Sequence, residues 1–407
     1  MPQDRLRRLS KHIVSPKETS KPDYQDAHSL KLAECLKGEL CVRSNGSYVK
    51  IVSDFDETYA HGKAMILDLK LLTPFKRDHF YESNEPELLD AENLLFFDME
   101  TTGLGGSGTV AFLIGFGSIR GNGLQVRQYF LPDYPDEEAM LEAVRSEITE
   151  DTIIVSYNGK SFDMPILTDR MIIQRVERNL AFADHIDLLH PVRRLYRRRL
   201  RDCTLANVEK NILDFYRHDD IPGHLVPSIY FNWLSTTDTD LLDKVAEHNL
   251  NDIISLFFIM HHISGVRERP ADKISEPDDI LSLARILERR REHNNLCKML
   301  ERFGDITWGH ERFDILYLQS LSYKKGGRFP EAVALWEKIA ANSTTESFLA
   351  GIELAKYFEH RAKDIKKALH FARCAKAICP PQARFKDDVL KRINRLNEKL
   401  SRAHSSK

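Results

Sequence analysis

Leu94-Leu95-Phe96-Phe97-Asp98-Met99-Glu100-Thr101-Thr102-Gly103-Leu104 is an apolar run that ends in two acids and a Thr-Thr-Gly turn. Side chains alternate across a strand, so a strand over 94–100 puts Asp98 and Glu100 on one face, where both carboxylates can reach the same hard cation. In so apolar a neighbourhood acids are costly unless a metal or hydrogen-bond donors offset their desolvation. A bare Asp-x-Glu also fits surface acids on an edge strand; the flanking LLFF and Thr-Thr-Gly favour the metal reading.

Working outward, TVAFLIGFGSI (109–119) and LQVRQYFL (124–131) read as two further strands, and DEEAMLEAVRSEI (136–148) as an amphipathic helix. TIIVSY is another short β-rich run, 164–174 another helix, and 240–262 a long helix that is apolar around more than half its circumference. The expectation is an α/β domain, a mixed sheet flanked by helices. Before it, VRSNGSYVKIVSDF and YAHGKAMILDLKLL mix β-branched residues with turn formers and suggest a few short strands. Past Pro277 nearly everything reads as helix. There Tyr323 and Tyr357 lie 34 residues apart and Ala332 and Ala368 lie 36 apart, a period similar to the tetratricopeptide pattern. A degenerate earlier unit is expected over 280–303. The expected divisions are a mobile basic tail at 1–25, an N-terminal β-rich extension at 26–90, the α/β domain at 91–265 and an all-α helical-repeat domain at 275–400.

Two other stretches carry chemistry. Ser156-Tyr157-Asn158-Gly159-Lys160-Ser161-Phe162-Asp163-Met164-Pro165 breaks a strand at a turn and opens a helix. Asp163 fits a helix N-cap with Pro165 just inside the first turn, and Asn158 fits either a turn former or a substrate contact. Glu247-His248-Asn249-Leu250-Asn251-Asp252 lies within the long helix. His248 and Asp252, four apart, stack at the margin of its apolar surface, where a polar pair needs a partner.

Gly103-Leu104-Gly105-Gly106-Ser107-Gly108 fits G-x-G-x-x-G, but TVAFLIGFG follows where a dinucleotide fold needs a helix N-terminus, so a nucleotide cofactor is not expected. Arg193, Arg194, Arg197, Arg198, Arg199 and Arg201 place six guanidinium groups in nine residues around Tyr196. Arginine forks match phosphate oxygens and a ring can stack on an unpaired base, whereas a solvated helix face is the plainer alternative. Asp184, His185 and Asp187 are read as structural, and His261-His262 as capping the end of the long helix.

The chain has 407 residues with 42% hydrophobic and 29% charged, the make-up of a soluble globular protein of two or three domains. The longest strongly apolar run, 253–260, is far below the ~20 residues a membrane span needs, and the N-terminus lacks a secretory core, so a cytoplasmic protein is expected. Six scattered cysteines, none in a Cys-x-x-Cys pair, argue against a structural zinc site or a disulfide framework. Net charge is −2, but 355–407 holds fifteen Lys or Arg against five Asp or Glu, so a +10 segment follows a −12 remainder. Such a basic surface suits nucleic acid or an acidic protein.

DMETTGL, YNGKSFD and HNLND, in this order and at these distances, strongly resemble the three motifs of the DEDD exonuclease superfamily, which has a ribonuclease H-like fold. RRLYRRRLRDCTLANVEKNIL, with HDDIPGHLVPSIYFNWL after it and helical repeats beyond, is most similar to the YprB group of ribonuclease H-like proteins. The resemblance implies that Asp98, Glu100, Asp163 and Asp252 bind two Mg²⁺ or Mn²⁺ ions, that His248 is the general base, and that cleavage of nucleic acid runs 3′→5′. Two dications about 4 Å apart activate water and stabilise the departing oxygen of a phosphodiester. His248 stands four residues before Asp252, the spacing of the tyrosine-type branch rather than the five of the histidine type. Thr101, Asn158 and the six arginines are the candidate nucleic-acid contacts, and the repeats a candidate platform for a protein partner. The competing expectation is a nucleic-acid-binding scaffold with little or no catalysis.

Overall fold

The computed structural model describes residues 23–67, 75–81, 87–103, 105–106, 108–303, 312–380 and 383–405. Most of the expected basic tail, and Leu104 and Trp308, lie outside the described residues.

The chain divides into two compact units. The first comprises Leu89–Leu188 and Glu209–Met260 with the residues before Leu71; the second comprises Leu72–Leu88, Leu189–Val208 and the chain from His261 onward. In the first unit, β1 (Glu39–Arg43), β2 (Gly46–Phe55), β5 (Leu94–Thr101), β6 (Ala111–Arg120), β7 (Gly123–Phe130), β8 (Ile153–Ser156) and β9 (Asp184–Asp187) form one sheet. Its order is β1-β2-β7-β6-β5-β8-β9, and β3 (Ala60–His61) pairs with β4 (Ala64–Met65) in a separate small hairpin. Pairing is antiparallel from β1 to β5 and parallel for β5/β8 and β8/β9. The mixed sheet expected from the strand run is present.

The residues read as a separate β-rich extension contribute β1 and β2 to this same sheet. Val49 pairs with Phe130 and Ile51 with Gln128, so the extension covers an edge that β7 would otherwise expose. Helices α1 (Asp23–Leu36), α2 (Glu137–Arg145) and α3 (Asp163–Ile173) add apolar faces. Leu32, Leu141, Val144 and Leu167 are fully buried in one core with Phe97, Phe112 and Trp233.

In β5 both faces are covered, which is why its run is apolar without alternation. Phe96, Asp98 and Glu100 share one face, and Phe96 meets Phe257 of the long helix edge to face at 5.6 Å. That helix is α6 (Leu242–Glu268), after α4 (Leu189–Leu200) and α5 (Val226–Thr236). It can lie this close because β6 carries Gly115 and Gly117 opposite Asp98 and Phe96. A Cβ on Gly115 would stand 2.2 Å from Ile253 Cδ1 and 2.4 Å from Asn249 Oδ1. Glycine within a strand marks such close approach.

The second unit is helical. It holds α4 and then α7 (Pro277–Arg289), α8 (His293–Phe303), α9 (Phe313–Lys325), α10 (Phe329–Ala340), α11 (Thr345–His360), α12 (Ile365–Ala377) and α13 (Ala383–Ser405). From α9 onward each helix packs on the next, around a core that includes Trp336, Ala332, Leu354 and Ala368. Because α6 continues to Glu268, His261 and His262 lie inside it and do not cap its end; His261 meets Phe75 edge to face and His262 bonds the Tyr196 hydroxyl. No helix among the described residues is long and apolar enough to cross a membrane.

Candidate active site

Glu100, His248 and Asp252 meet where β5 faces α6, and Asp98 and Asp163 lie outside that close group but near enough for their charges to act on one another and on Asp252. Asp98 and Glu100 come from the end of β5, His248 and Asp252 from one turn of α6, and Asp163 from the start of α3. One ligand atom each of Glu100, His248 and Asp252 lies within 4.8 Å of the other two. His248 Nε2 is 3.9 Å from Glu100 Oε1 and 3.9 Å from Asp252 Oδ2. Asp98 is tied in by Asn249, whose side-chain NH₂ donates to Asp98 Oδ2 at 2.8 Å. Asn249 is completely buried, and its own oxygen accepts from Gln128 Nε2 at 2.8 Å, which fixes the direction of its donor.

Asp163 is the first residue of α3, with Phe162 at the capping position. It is therefore not the N-cap that its sequence context suggests; its carboxyl is buried and coupled electrically to Asp252. Gly159 makes room for it, since a Cβ there would stand 2.9 Å from Asp163 Oδ2. Asn158 has a positive φ of 67°, and its backbone N–H donates to Asp187 Oδ1 at 2.8 Å. Asp187 thus shapes the turn, and His185 Nε2 lies 2.8 Å from Ser156 Oγ. The side chain of Asn158 is exposed. Thr101 is half-buried and its hydroxyl donates to Gly103 O at 2.7 Å.

The electrostatics are those of acids short of cations. Burial raises the Asp98 carboxyl well above its usual range, and the charges of Asp252, Asp163 and Glu100 raise it further. Burial lifts Glu100 to about 7, against the opposing pull of His248, with Asp252 and Asp163 adding to the rise. Asp163 also reaches about 7, through burial and then the charge of Asp187. Burial pulls His248 down, but Asp252, Glu100 and Asp220 outweigh it and leave the imidazole raised. Oxygen donors gathered at such electrostatic cost fit a hard divalent ion.

Four residues of the site are not among the candidates. Arg217 is nearly buried and pairs with Asp252 Oδ1, with Glu209 at 2.6 Å and with Asp220 at 3.3 Å. Asp220 Oδ1 in turn lies 2.8 Å from His248 Nδ1. Gln128 and Glu209 complete the set. Sequence signals for their roles are weak: Glu209 and Asp220 fall in the stretches similar to the YprB group without any sign of what they contact, and Arg217 lies between them in a polar loop, whereas the two glycines of IGFG in an apolar strand are a legible sign that something packs close.

The arginine run falls in the helical unit. Arg194 donates to Phe80 O, and Arg199 Nε donates to the buried Asp279 at 2.8 Å. Tyr196 is buried and bonded to His262, so it offers no ring to a base. Arg193, Arg197, Arg198 and Arg201 are exposed. In the +10 segment, Arg392, Arg395 and Lys399 all bind the carboxylate of Glu359.

Comparison with known proteins agrees with this architecture. The family model of the RNase_H superfamily matches residues 95–264, which span β5 through most of α6. The chain is also 34% identical over 324 residues to the Bacillus subtilis (strain 168) protein named "Uncharacterized protein YprB", covering 78% of each chain. The chain therefore belongs to the same family as this YprB protein, and its residues 95–264, which supply the acids of the site, form an RNase_H superfamily domain.

Proposed function

We propose that the protein is a metal-dependent nuclease of the DEDD type that hydrolyses nucleic acid from its 3′ end. The observation that carries this reading is the convergence of Glu100, His248 and Asp252 within 4.8 Å, with Asp98 and Asp163 electrically coupled to them. Asp98, Glu100, Asp163 and Asp252 would hold Mg²⁺ or Mn²⁺, two ions by the resemblance. Bound there, the ions supply Lewis acidity and charge neutralisation for attack of water on a phosphodiester.

The chain's own groups do the rest. His248 presents Nε2 to the acids and accepts a proton from the attacking water, while Asp220 holds its Nδ1. Asn249 aims Asp98. Asn158 in the sheet unit is assigned to the strand being cut, and the exposed arginines Arg193, Arg197, Arg198 and Arg201 of the helical unit are assigned to nucleic-acid binding in their own right. The helix pairs of the second unit we assign to a tetratricopeptide-like array that receives a protein partner: Tyr323 and Ala332 on α9 and α10 recur as Tyr357 and Ala368 on α11 and α12.

The test uses purified protein with Mn²⁺ or Mg²⁺ and single-stranded DNA and RNA oligonucleotides labelled at the 5′ end. Progressive shortening is expected, abolished on chelation. Asp98→Ala should lower the rate about 10³-fold, corresponding to ~4 kcal/mol of transition-state stabilisation. Undiminished cleavage by a folded Asp98→Ala protein, or none by the wild type with either ion, would remove the assignment.

A further inference from the structure

Asp252 is bonded by Arg217 as well as facing His248. Asp252 has two oxygens. Arg217 takes Oδ1, and Oδ2 is left 3.9 Å from His248 Nε2. We propose that Arg217 is a positioning residue of the metal site, a guanidinium braced by Glu209 that fixes which oxygen of Asp252 meets the ion. The proposal rests on the reading that these acids bind a divalent cation.

The brace is fully internal. Arg217 Nε donates to Glu209 Oε2 at 2.9 Å and Nη2 to Glu209 Oε1 at 2.6 Å, a two-pronged contact on a carboxylate whose side chain is 1% exposed. Glu209 also accepts from Ser255 Oγ, one turn after Asp252 on α6, and Ser255 Oγ lies 2.8 Å from His61 Nε2. His61 is completely buried, with its ring 3.7 Å from Phe215. The loop carrying Arg217 is therefore pinned at both neighbours: Phe215 stacks on the β3 hairpin, and Asp220 binds Arg217 and His248. Gly62 seats that hairpin, because a Cβ there would stand 2.1 Å from Leu213 O.

The geometry calls for arginine. A planar fork can hold Glu209 with one edge and Asp252 with the other, whereas the compact lysine ammonium on its flexible stem does not reproduce two fixed directions. Charge alone is not the device, because Glu209 balances the guanidinium. A second possibility has the opposite sign: Arg217 could act as a resident cation that competes with the ion for Asp252. Arg217→Lys separates the two, since it keeps the charge and loses the fork.

Mn²⁺ binding to the full-length protein by calorimetry is the readout, so that turnover is not needed. Ligand-orienting contacts of this kind change metal affinity by about 10–100-fold. Arg217→Lys is expected to weaken Mn²⁺ by that factor with little change in thermal stability without metal. Arg217→Ala is expected to weaken it further and to recover part of the loss with free guanidinium at a non-denaturing concentration, but not with equal sodium chloride. Should Arg217→Lys not fold, Glu209→Gln, which loosens the brace and keeps the Asp252 bond, replaces it with the same expected direction. Wild-type affinity within twofold in the lysine or Glu209→Gln variant overturns the positioning role, and so does tighter binding. Absence of Mn²⁺ binding by the wild type instead overturns the metal reading itself.

Discussion

Glu359 and Glu100 are the same side chain in opposite company. Glu359, whose side chain has no exposed surface, is held by Arg392, Arg395 and Lys399 at 2.7–2.8 Å. Burial alone would raise its carboxyl, yet the bonds from Arg395 and Lys399 bring it down to about 2. Glu100 is also largely removed from water, but it shares its neighbourhood with Asp98, Asp163 and Asp252 and rises to about 7. Around Glu359 the sequence supplies the countercharge; around Glu100 it supplies more acids, and the nearby Arg217 is engaged by Glu209, Asp220 and Asp252. A buried carboxylate with its cations built in joins helices. A group of carboxylates without them leaves room for a cation from outside.

The sharpest way to break this comparison is to titrate both sites without metal. Glu100 and Asp163 have native values raised to about 7, above those of the unfolded chain. The native state then holds protons that the unfolded state releases, so their contribution to stability is full below about pH 4 and disappears as pH rises through about 7. Glu359 has the reverse sign: its contribution is full above about pH 4.5 and disappears as pH falls toward 2. Glu100→Gln should therefore stabilise the metal-free protein at pH 8, on the order of 3 kcal/mol, while removing most of the stabilisation Mn²⁺ gives the wild type. Urea unfolding at pH 5 and pH 8, with and without Mn²⁺, reads both effects. Equal stability of wild type and Glu100→Gln at pH 8 would show that the carboxylates already have their cations.

The second test exchanges the sign at the other acid. Glu359→Gln leaves three cations facing an amide and should destabilise by about 2 kcal/mol, the scale of a charged hydrogen-bond network whose partners still reach water. Its Mn²⁺ affinity should be that of the wild type. A loss of metal binding in Glu359→Gln would mean that the two acids do not differ as their surroundings suggest.

What the sequence makes legible follows from how each interaction is encoded. Asp98 and Glu100 are two apart on a strand, and His248 and Asp252 four apart on a helix, so local periodicity alone puts each pair on one face. The mixed sheet is legible for the same reason, from apolar runs of strand length. Pairings between distant segments are not. Arg217 lies in DFYRHDD, where an arginine among aspartates looks like solvated loop, and nothing local says that its guanidinium turns inward to Glu209 and Asp252. Asp163 looks like a cap because an aspartate just before a proline-bearing first turn fits one, and only the backbone start of α3 at Asp163 itself shows that Phe162 holds that position. The β1–β2 hairpin has readable alternation but no local indication of its partner, since pairing with β7 joins residues about seventy to eighty positions apart.

The smallest expected effect concerns cations rather than acids. Arg194 and Arg199 are engaged within the helical unit, by Phe80 O and by Asp279, whereas Arg193, Arg197, Arg198 and Arg201 are exposed on the same stretch of chain. If the exposed set touches a phosphate backbone, removing one of these guanidinium groups should reduce the slope of log affinity against log salt by about 0.7 for single strands and 0.9 for duplex. Arg197→Gln with Arg198→Gln should therefore flatten the slope by up to about 1.4 on a single-stranded oligonucleotide, with unfolding unchanged. Arg199→Gln should do the reverse, leaving the slope alone and lowering stability, because it strips the buried Asp279 of its partner. Binding isotherms at four salt concentrations with Ca²⁺, chosen to limit cleavage, decide it: identical slopes for the wild type and the double variant would assign these arginines to solvent, and with them the likeness between this helix and a nucleic-acid surface.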